Sequence, residues 1–352
     1  MRAMVVHGAD DLRVDELPDP TPAPGEVLVA MEWGGICGSD LAYWRHGRSG
    51  TAVLKQPMIL GHEVAGRVTQ VGDGVHGVTV GQPVTFQPAQ LVGDGVMPNR
   101  LEGRTNLYPQ VRYFGSAAFD PHTDGGFCEL KAVRAEQIRP LPEGVTTQRG
   151  ALAEPLAVAI HAVRRVPDLA GRTVLVNGCG PIGSLVVAAA KYDGAATVIA
   201  ADVAASSLAV ASAMGADEVV DVSVDPLPED ITLVFEASGA PAAVGPVLHA
   251  TAKGGTVVQV GNLSGSAAPF VLGDLVTREL LWIGSYRFAE EIDDAVAALA
   301  AGVDVDPLMT HVFGLAEAEE AMRVAADRNS GSSKVMLRLT GEAPDPPAQP
   351  TR

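Results

Sequence analysis

Two hydrophobic rhythms divide the chain. From Met1 to about Gly144, short apolar runs (AMVVHG, EVLVAMEW, VAGRVTQVG, QPVTF) are separated by Gly- and Pro-rich turn signals. That texture predicts an antiparallel β region with many loops. From about Gly150 to Tyr286 the rhythm changes: TVLVNG, ATVIAAD, DEVVD, ITLVFEAS, GTVVQVG and LLWIGS alternate with alanine-rich, helix-like stretches. This is the pattern of βαβ units and a parallel sheet, and near-continuous apolar strands suit a sheet covered on both faces. Beyond it, AEEIDDAVAALAAG and LAEAEEAMRVAADR predict two helices and KVMLRL a last strand. The proline-rich ending predicts a disordered tail over 341–352. The expected organisation is a β domain over 1–149 and 287–340, interrupted by an α/β domain over 150–286.

Composition narrows the function classes. The 352 residues suffice for two substantial cores. A formal charge of −17 without any Lys/Arg run argues against nucleic acid or an anionic membrane as partner. No apolar stretch is long enough to span a bilayer, and the N-terminal MRAMVVHGADDLRVDEL has no signal-peptide core. Three widely spaced cysteines fit a reducing, cytoplasmic setting without a disulfide framework.

The α/β segment carries Gly178-x-Gly180-x-x-Gly183 between a strand and a helix starting at Pro181, and the next strand ends at Asp202. In that context the motif predicts a dinucleotide site. Gly178 allows the tight turn, Gly180 lets backbone approach the pyrophosphate, and Gly183 lets helix pack on sheet. Asp202 is placed to accept from the adenosine ribose and would repel a 2′-phosphate. Ser206 and Ser207 follow where an NADP site would want arginine, so NAD is expected over NADP. Cys179 reads as filler.

The β segment poses a second question in GGICGSDLAYWRHG, followed by GHE at Gly61–Glu63. A catalytic zinc takes three protein ligands from Cys, His and Glu and keeps a position open. Cys37, His62, Glu63 and Glu154 are candidates. Taken singly, Cys37 is more often a buried small hydrophobe. Glu154, just before Pro155 on an apolar helix, is an N-terminal cap or a site residue.

The strings GGICGSDL, PMILGHEVAG, VRYFGSAAFDPHTDGGF, AEPLAVAIHA, GCGPIG and GSYRF resemble those of the zinc-dependent medium-chain dehydrogenase/reductases over nearly the whole chain. Within them the chain is most similar to the polyol (sorbitol dehydrogenase-like) branch and its idonate-type group. The resemblance implies a GroES-like β domain plus a doubly wound Rossmann domain, with the active site in the cleft between them. It implies a catalytic zinc on Cys37, His62 and Glu63, with Glu154 holding it directly or through its water. Ser39 would pass on the alcohol's proton, and Tyr43 and Arg287 would line the substrate pocket. Cofactor contacts would fall on Gly178, Gly180, Pro181, Ile182, Gly183, Asp202, Val260, Gly261, Asn262, Ser285, Tyr286 and Arg287.

The implied reaction is oxidation of a secondary alcohol of a polyol or sugar acid with hydride transfer to NAD, with L-idonate to 5-keto-D-gluconate as first choice. A hexonate needs a cation; Arg287 is preferred over Arg45, Arg48 and Arg112. Relatives are homodimers or homotetramers, and the strand near LLWIGS is a candidate edge. Alternatives are a sorbitol- or xylitol-type polyol dehydrogenase, a zinc-free quinone-reductase-like enzyme, or a non-catalytic NAD-binding protein. Two departures stand out. Ala42 occupies a place where many polyol relatives have histidine, leaving His46 or solvent to replace it in the proton relay. The stretch from Phe86 to Gly115 lacks the four cysteines of a structural zinc, so none is expected and the lobe must be held by packing and hydrogen bonds.

Overall fold

The computed structural model describes residues 1–94, 96–263 and 267–341. The tail expected from 341 onward lies, from residue 342, outside the described residues. The chain forms two compact units: residues 1–100, 108–154 and from 309 onward, and residues 101–107 with 155–308.

The first unit is β-rich, as its short apolar runs require. A seven-stranded sheet orders Ile138–Pro140, Pro83–Phe86, Glu63–Val71, Glu26–Gly35, Lys334–Arg338 and Met309–Gly314, with Leu130–Arg134 also paired to Glu26–Gly35. The long strands Glu26–Gly35 and Glu63–Val71 run antiparallel, with Gly35 opposite Glu63. Alternation along Glu26–Gly35 turns Val27, Val29 and Met31 into a core that they share with Met4, Phe86 and Phe127. A smaller sheet joins Asp11–Glu16, Arg2–Gly8 and Met58–Ile59.

The second unit holds six parallel strands: Glu218–Asp221, Thr197–Asp202, Thr173–Asn177, Ile231–Glu236, Thr251–Gln259 and Leu281–Gly284. Read by place in the chain, their order is 3-2-1-4-5-6, the doubly wound order. Its reversal between the first and fourth strands opens a crevice at their carboxyl ends. Fully buried strand centres such as Val174–Val176 explain the continuous apolar runs.

The division differs from the sequence expectation at both ends. Residues 287–308 belong with the parallel sheet and not with the β unit. The helix Ile292–Ala300 buries one apolar face, Ile292, Ala295, Val296, Ala298 and Leu299. Polar groups tie it to the helix Ala153–Val163: Nδ1 of His161 meets Oε1 of Glu291 at 2.7 Å, and Arg164 pairs with Asp294 at 2.5 Å. Residues 101–107, from the cysteine-free lobe, also pack with the second unit. There the buried Asn106 donates from Nδ2 to the carbonyl of Tyr286 at 2.7 Å. Among the described residues, no helix is long and apolar enough to cross a membrane.

Candidate metal and dinucleotide sites

The motif around Cys37 forms a helix that its glycines and polar residues conceal in sequence. Cys37 sits at the N-cap of helix Gly38–His46, and Gly47 ends it in the left-handed region (φ 60°), its N–H returning to the carbonyl of Tyr43 at 2.9 Å. Asp40 is the pivot. Fully buried, it accepts from the Cys37 N–H at 2.9 Å and from the Gly61 N–H at 3.1 Å. One carboxylate therefore fastens both loops that carry candidate ligands, and its Oδ1 lies 4.0 Å from Nδ1 of His62.

Cys37, His62 and Glu63 each offer a ligand atom, and these atoms lie within 4.8 Å of one another. Glu63 starts the strand Glu63–Val71 and packs against bare backbone; a Cβ on Gly35 would stand 2.4 Å from its Oε2. Lys334, 2% exposed, brings its Nζ to 2.8 Å from Oε1 and 2.7 Å from Oε2 of Glu63, and also donates to the carbonyl of Ile36 at 3.1 Å. Only Oε1 meets hydrogen-bond geometry, so Oε2 is a buried acceptor without an aligned donor. Glu154, on the helix Ala153–Val163, stands outside the three-residue group but within its electrostatic reach, and its Oε1 accepts from the Tyr113 hydroxyl at 2.6 Å.

The charge balance favours a cation. Burial opposes a charged imidazole, but Cys37, Asp40 and Glu154 outweigh it and push His62 up to about 10. Burial, opposed by His62 and reinforced by Glu63, raises the Glu154 carboxyl, although the Tyr113 bond pulls the other way. Lys334 is held above its ordinary range against the cost of burial, chiefly by Glu63 and then Cys37. A cluster that draws a proton onto His62 this strongly, and keeps one carboxylate oxygen without an aligned donor, has the soft and hard donors that suit zinc.

Other expected residues fall as follows. Ser39 is half-buried on the same helix as Asp40. Tyr43 is packed in the core at 3% exposure, with its oxygen accepting from the Ala117 N–H at 3.0 Å. Arg45 is exposed and stacks over Trp44, Arg48 is exposed, and Arg112 donates to the carbonyl of Pro121.

In the second unit, strand Thr173–Asn177 runs into a loop and the helix Pro181–Tyr192, with Gly180 as N-cap. A Cβ on Gly183 would meet the Gly178 carbonyl oxygen at 1.7 Å, whereas one on Gly180 would meet nothing within 4 Å. The loop is thus packed tight at one glycine and open at another, as close approach of a phosphate requires, and the helix N-terminus supplies donors. Pro181 and Ile182 are half-buried at that end. Asp202 accepts from the Cys179 N–H at 2.7 Å and the Ala204 N–H at 2.8 Å, so it also braces the loop. Cys179 is buried, and burial pushes its thiol up to about 12.

Val260 and Gly261 both donate to the Glu236 carbonyl, at 2.8 and 2.9 Å. Gly261 and Gly239 backbones abut: a Cβ at Gly261 would lie 2.3 Å from the Gly239 nitrogen, and one at Gly239 2.7 Å from the Asn262 carbonyl oxygen. The Ser285 N–H donates to Gln259, Tyr286 is 49% exposed, and Arg287 adopts φ +50° with its guanidinium over the Tyr286 ring.

Sequence reasoning missed four residues. Asp40, Tyr113 and Lys334 surround the candidate metal ligands. The fully buried Glu236 gathers Asn177, Ser238 and Gln259 at the carboxyl ends of the parallel strands. A charged residue at the end of a mostly apolar run, closing it at Glu236 and opening it at Lys334, was the available signal.

Comparison with known proteins is consistent across the chain. Residues 23–143 match the alcohol dehydrogenase GroES-like domain, and residues 181–301 the zinc-binding dehydrogenase family. Sorbitol dehydrogenase of Bos taurus is 37% identical, covering 96% of this chain and 95% of its own. L-Idonate 5-dehydrogenase (NAD(P)(+)) of Escherichia coli is 39% identical over 88% of this chain and 91% of its own. The crystal structure of the Escherichia coli L-idonate 5-dehydrogenase superposes with a TM-score of 0.89 at 38% identity, covering 96% of this chain and 97% of that one.

Proposed function

Since the chain belongs to the zinc-dependent medium-chain dehydrogenases, in their polyol branch, we propose that it oxidises L-idonate at C5 to 5-keto-D-gluconate with NAD as acceptor. The coarser statement needs no proposal: this is an alcohol or polyol dehydrogenase with the doubly wound fold. The observation that carries the reading is the convergence of Cys37, His62 and Glu63 within 4.8 Å.

In this reading Cys37, His62 and Glu63 hold one zinc per chain, and Glu154 stands beside it. When bound, zinc supplies Lewis acidity towards an alcohol oxygen, and the nicotinamide accepts a hydride. The chain's own residues do the rest. Asp40 and Lys334 fix the ligand loops, so that little reorganisation is needed on binding. Ser39 Oγ takes the hydroxyl proton and passes it on. With Ala42 beside it, the next carrier is His46 or solvent.

The loop Gly178–Gly183 holds the pyrophosphate, with Pro181 and Ile182 at the helix start. Asp202 holds the ribose and disfavours a 2′-phosphate, and Val260, Gly261, Asn262, Ser285 and Tyr286 border the nicotinamide. Tyr43 borders the substrate, and Arg287 receives the carboxylate, for which a guanidinium is suited. The balance is alcohol plus NAD⁺ giving ketone, NADH and a proton.

The same reading includes a homodimer or homotetramer joined at the end strand Leu281–Gly284, where Leu281 is 60% exposed. It also includes a reducing, cytoplasmic setting that keeps Cys37 out of a disulfide, and no structural zinc.

The test is metal analysis followed by a panel of hexonates and polyols with NAD and NADP, with and without chelator. About one zinc per chain, chelator-sensitive turnover and preference for the hexonate with NAD are expected. Absence of zinc defeats the reading. The likeness to sorbitol dehydrogenase over 96% of the chain supports a neutral polyol as the second substrate class, and preference for sorbitol or xylitol would select it.

A further inference from the structure

We propose that Tyr113 is a positioning residue of the metal centre: by committing one oxygen of Glu154, its hydroxyl sets which oxygen that carboxylate turns to the ion and its water. The proposal rests on the reading of Cys37, His62 and Glu63 as zinc ligands.

Tyr113 closes the short strand Val111–Tyr113 and is 6% exposed, as is Glu154. Its hydroxyl donates to Oε1 of Glu154 at 2.6 Å, the length of a charge-assisted O–H···O⁻ bond. Its ring meets the His62 imidazole edge-on, with centroids 5.7 Å apart and planes at 66°. One side chain therefore touches two groups of the site, the hydroxyl on a carboxylate and the ring on a ligand.

Glu154 lies outside the tight three-residue group, on a helix whose other polar side chain, His161, is bonded to Glu291. Without Tyr113 its two oxygens would be equivalent choices for an ion or its water. With Oε1 bonded to a buried phenol, Oε2 is the oxygen presented, and the carboxylate acts through one atom. The geometry also explains why an aromatic alone would not serve. Phenylalanine keeps the contact with His62 and loses the bond to Glu154.

The experiment compares wild type, Tyr113→Phe, Glu154→Gln and the double variant as full-length protein, each loaded with zinc and, separately, with cobalt. Zinc affinity by chelator competition, kcat and KM separately, and the cobalt d–d spectrum are recorded. Tyr113→Phe is expected to keep its apo melting temperature within a few degrees, to alter the cobalt spectrum, and to lose about 10- to 100-fold in zinc affinity or kcat, the usual range for groups that orient ligands. KM should move less. In the Glu154→Gln background the same substitution should change little, because Tyr113 acts through Glu154.

A Tyr113→Phe protein with unaltered zinc affinity, kcat and spectrum overturns the proposal. So does an equal loss with and without the Glu154 carboxylate. A wild type that binds no zinc defeats the underlying reading and this proposal with it, whereas zinc-loaded, active wild type beside an unaffected Tyr113→Phe defeats the proposal alone.

Discussion

Replacing Lys334 by methionine isolates the buried ion pair behind the candidate metal site. Lys334 is 2% and Glu63 1% exposed, with Nζ 2.7 Å from Oε2. Removing one partner of such a pair strands the other charge in a medium that cannot solvate it, a cost of about 3–5 kcal/mol. The Ile36 carbonyl, immediately before Cys37, loses its donor as well. In a domain of roughly this size each kcal/mol moves the melting temperature by about 2–4 °C. The apo form of Lys334→Met should therefore melt roughly 6–20 °C lower.

Zinc changes this. A divalent ion at Cys37, His62 and Glu63 neutralises the carboxylate that lysine abandoned, so the loaded variant should lose much less. Scanning calorimetry with excess zinc and with chelator measures both gaps. The pH sign is also set. Lys334 is held above its ordinary 10.5, so its contribution is fully present below that pH and is lost only as pH rises through the folded-state value. An apo variant melting within 2 °C of wild type, or an equal loss with and without zinc, would refute the account.

Three further outcomes follow from the same geometry. Cys37→Ser should abolish zinc retention and turnover while far-UV circular dichroism stays unchanged; an active, zinc-loaded variant would remove Cys37 from the ligand set. Asp202→Ala removes a carboxylate that accepts two backbone N–H groups, and bonds to charged groups contribute about 1.5–3 kcal/mol. Affinity for NAD should fall about 10- to 100-fold and the preference over NADP should narrow, as read from kcat/KM with each cofactor. For Glu291, burial favours the neutral acid, but the bond and charge of His161 and nearby backbone amides hold it below its ordinary 4.5. Its stabilisation is then present above that pH and lost as pH falls through the lower folded value. The melting gap between wild type and Glu291→Gln should be full at pH 7 and close in strong acid; a gap independent of pH would contradict this.

Local chemistry made much of the protein legible. Period-two apolar runs and glycine-rich turns announced the β unit, and strand–helix alternation announced the parallel sheet. Spaced glycines around Pro181 marked a tight strand-to-helix turn and a candidate phosphate loop, because few other residues tolerate the left-handed Gly178 or the close packing at Gly183. Cys37 and the His62–Glu63 pair were visible as donor types, and likeness to a known family joined them.

What residues twenty-five positions apart cannot declare is that antiparallel pairing of Glu26–Gly35 with Glu63–Val71 brings Gly35 against Glu63. Nor can they declare that Lys334, 271 positions further on, arrives beneath that carboxylate. Asp40 and Tyr113 look ordinary in a linear reading, because a buried polar group is recognised by the partners that surround it, and Gly61 and Glu154 lie far off in the chain. The exchange of residues 287–308 to the parallel unit has the same cause: an amphipathic helix states that it has an apolar face, and only packing decides which core receives it. Ligand types, periods and turn chemistry are properties of short segments and are written in the chain; charge balance and the choice of neighbours are properties of distance, which exists only after folding.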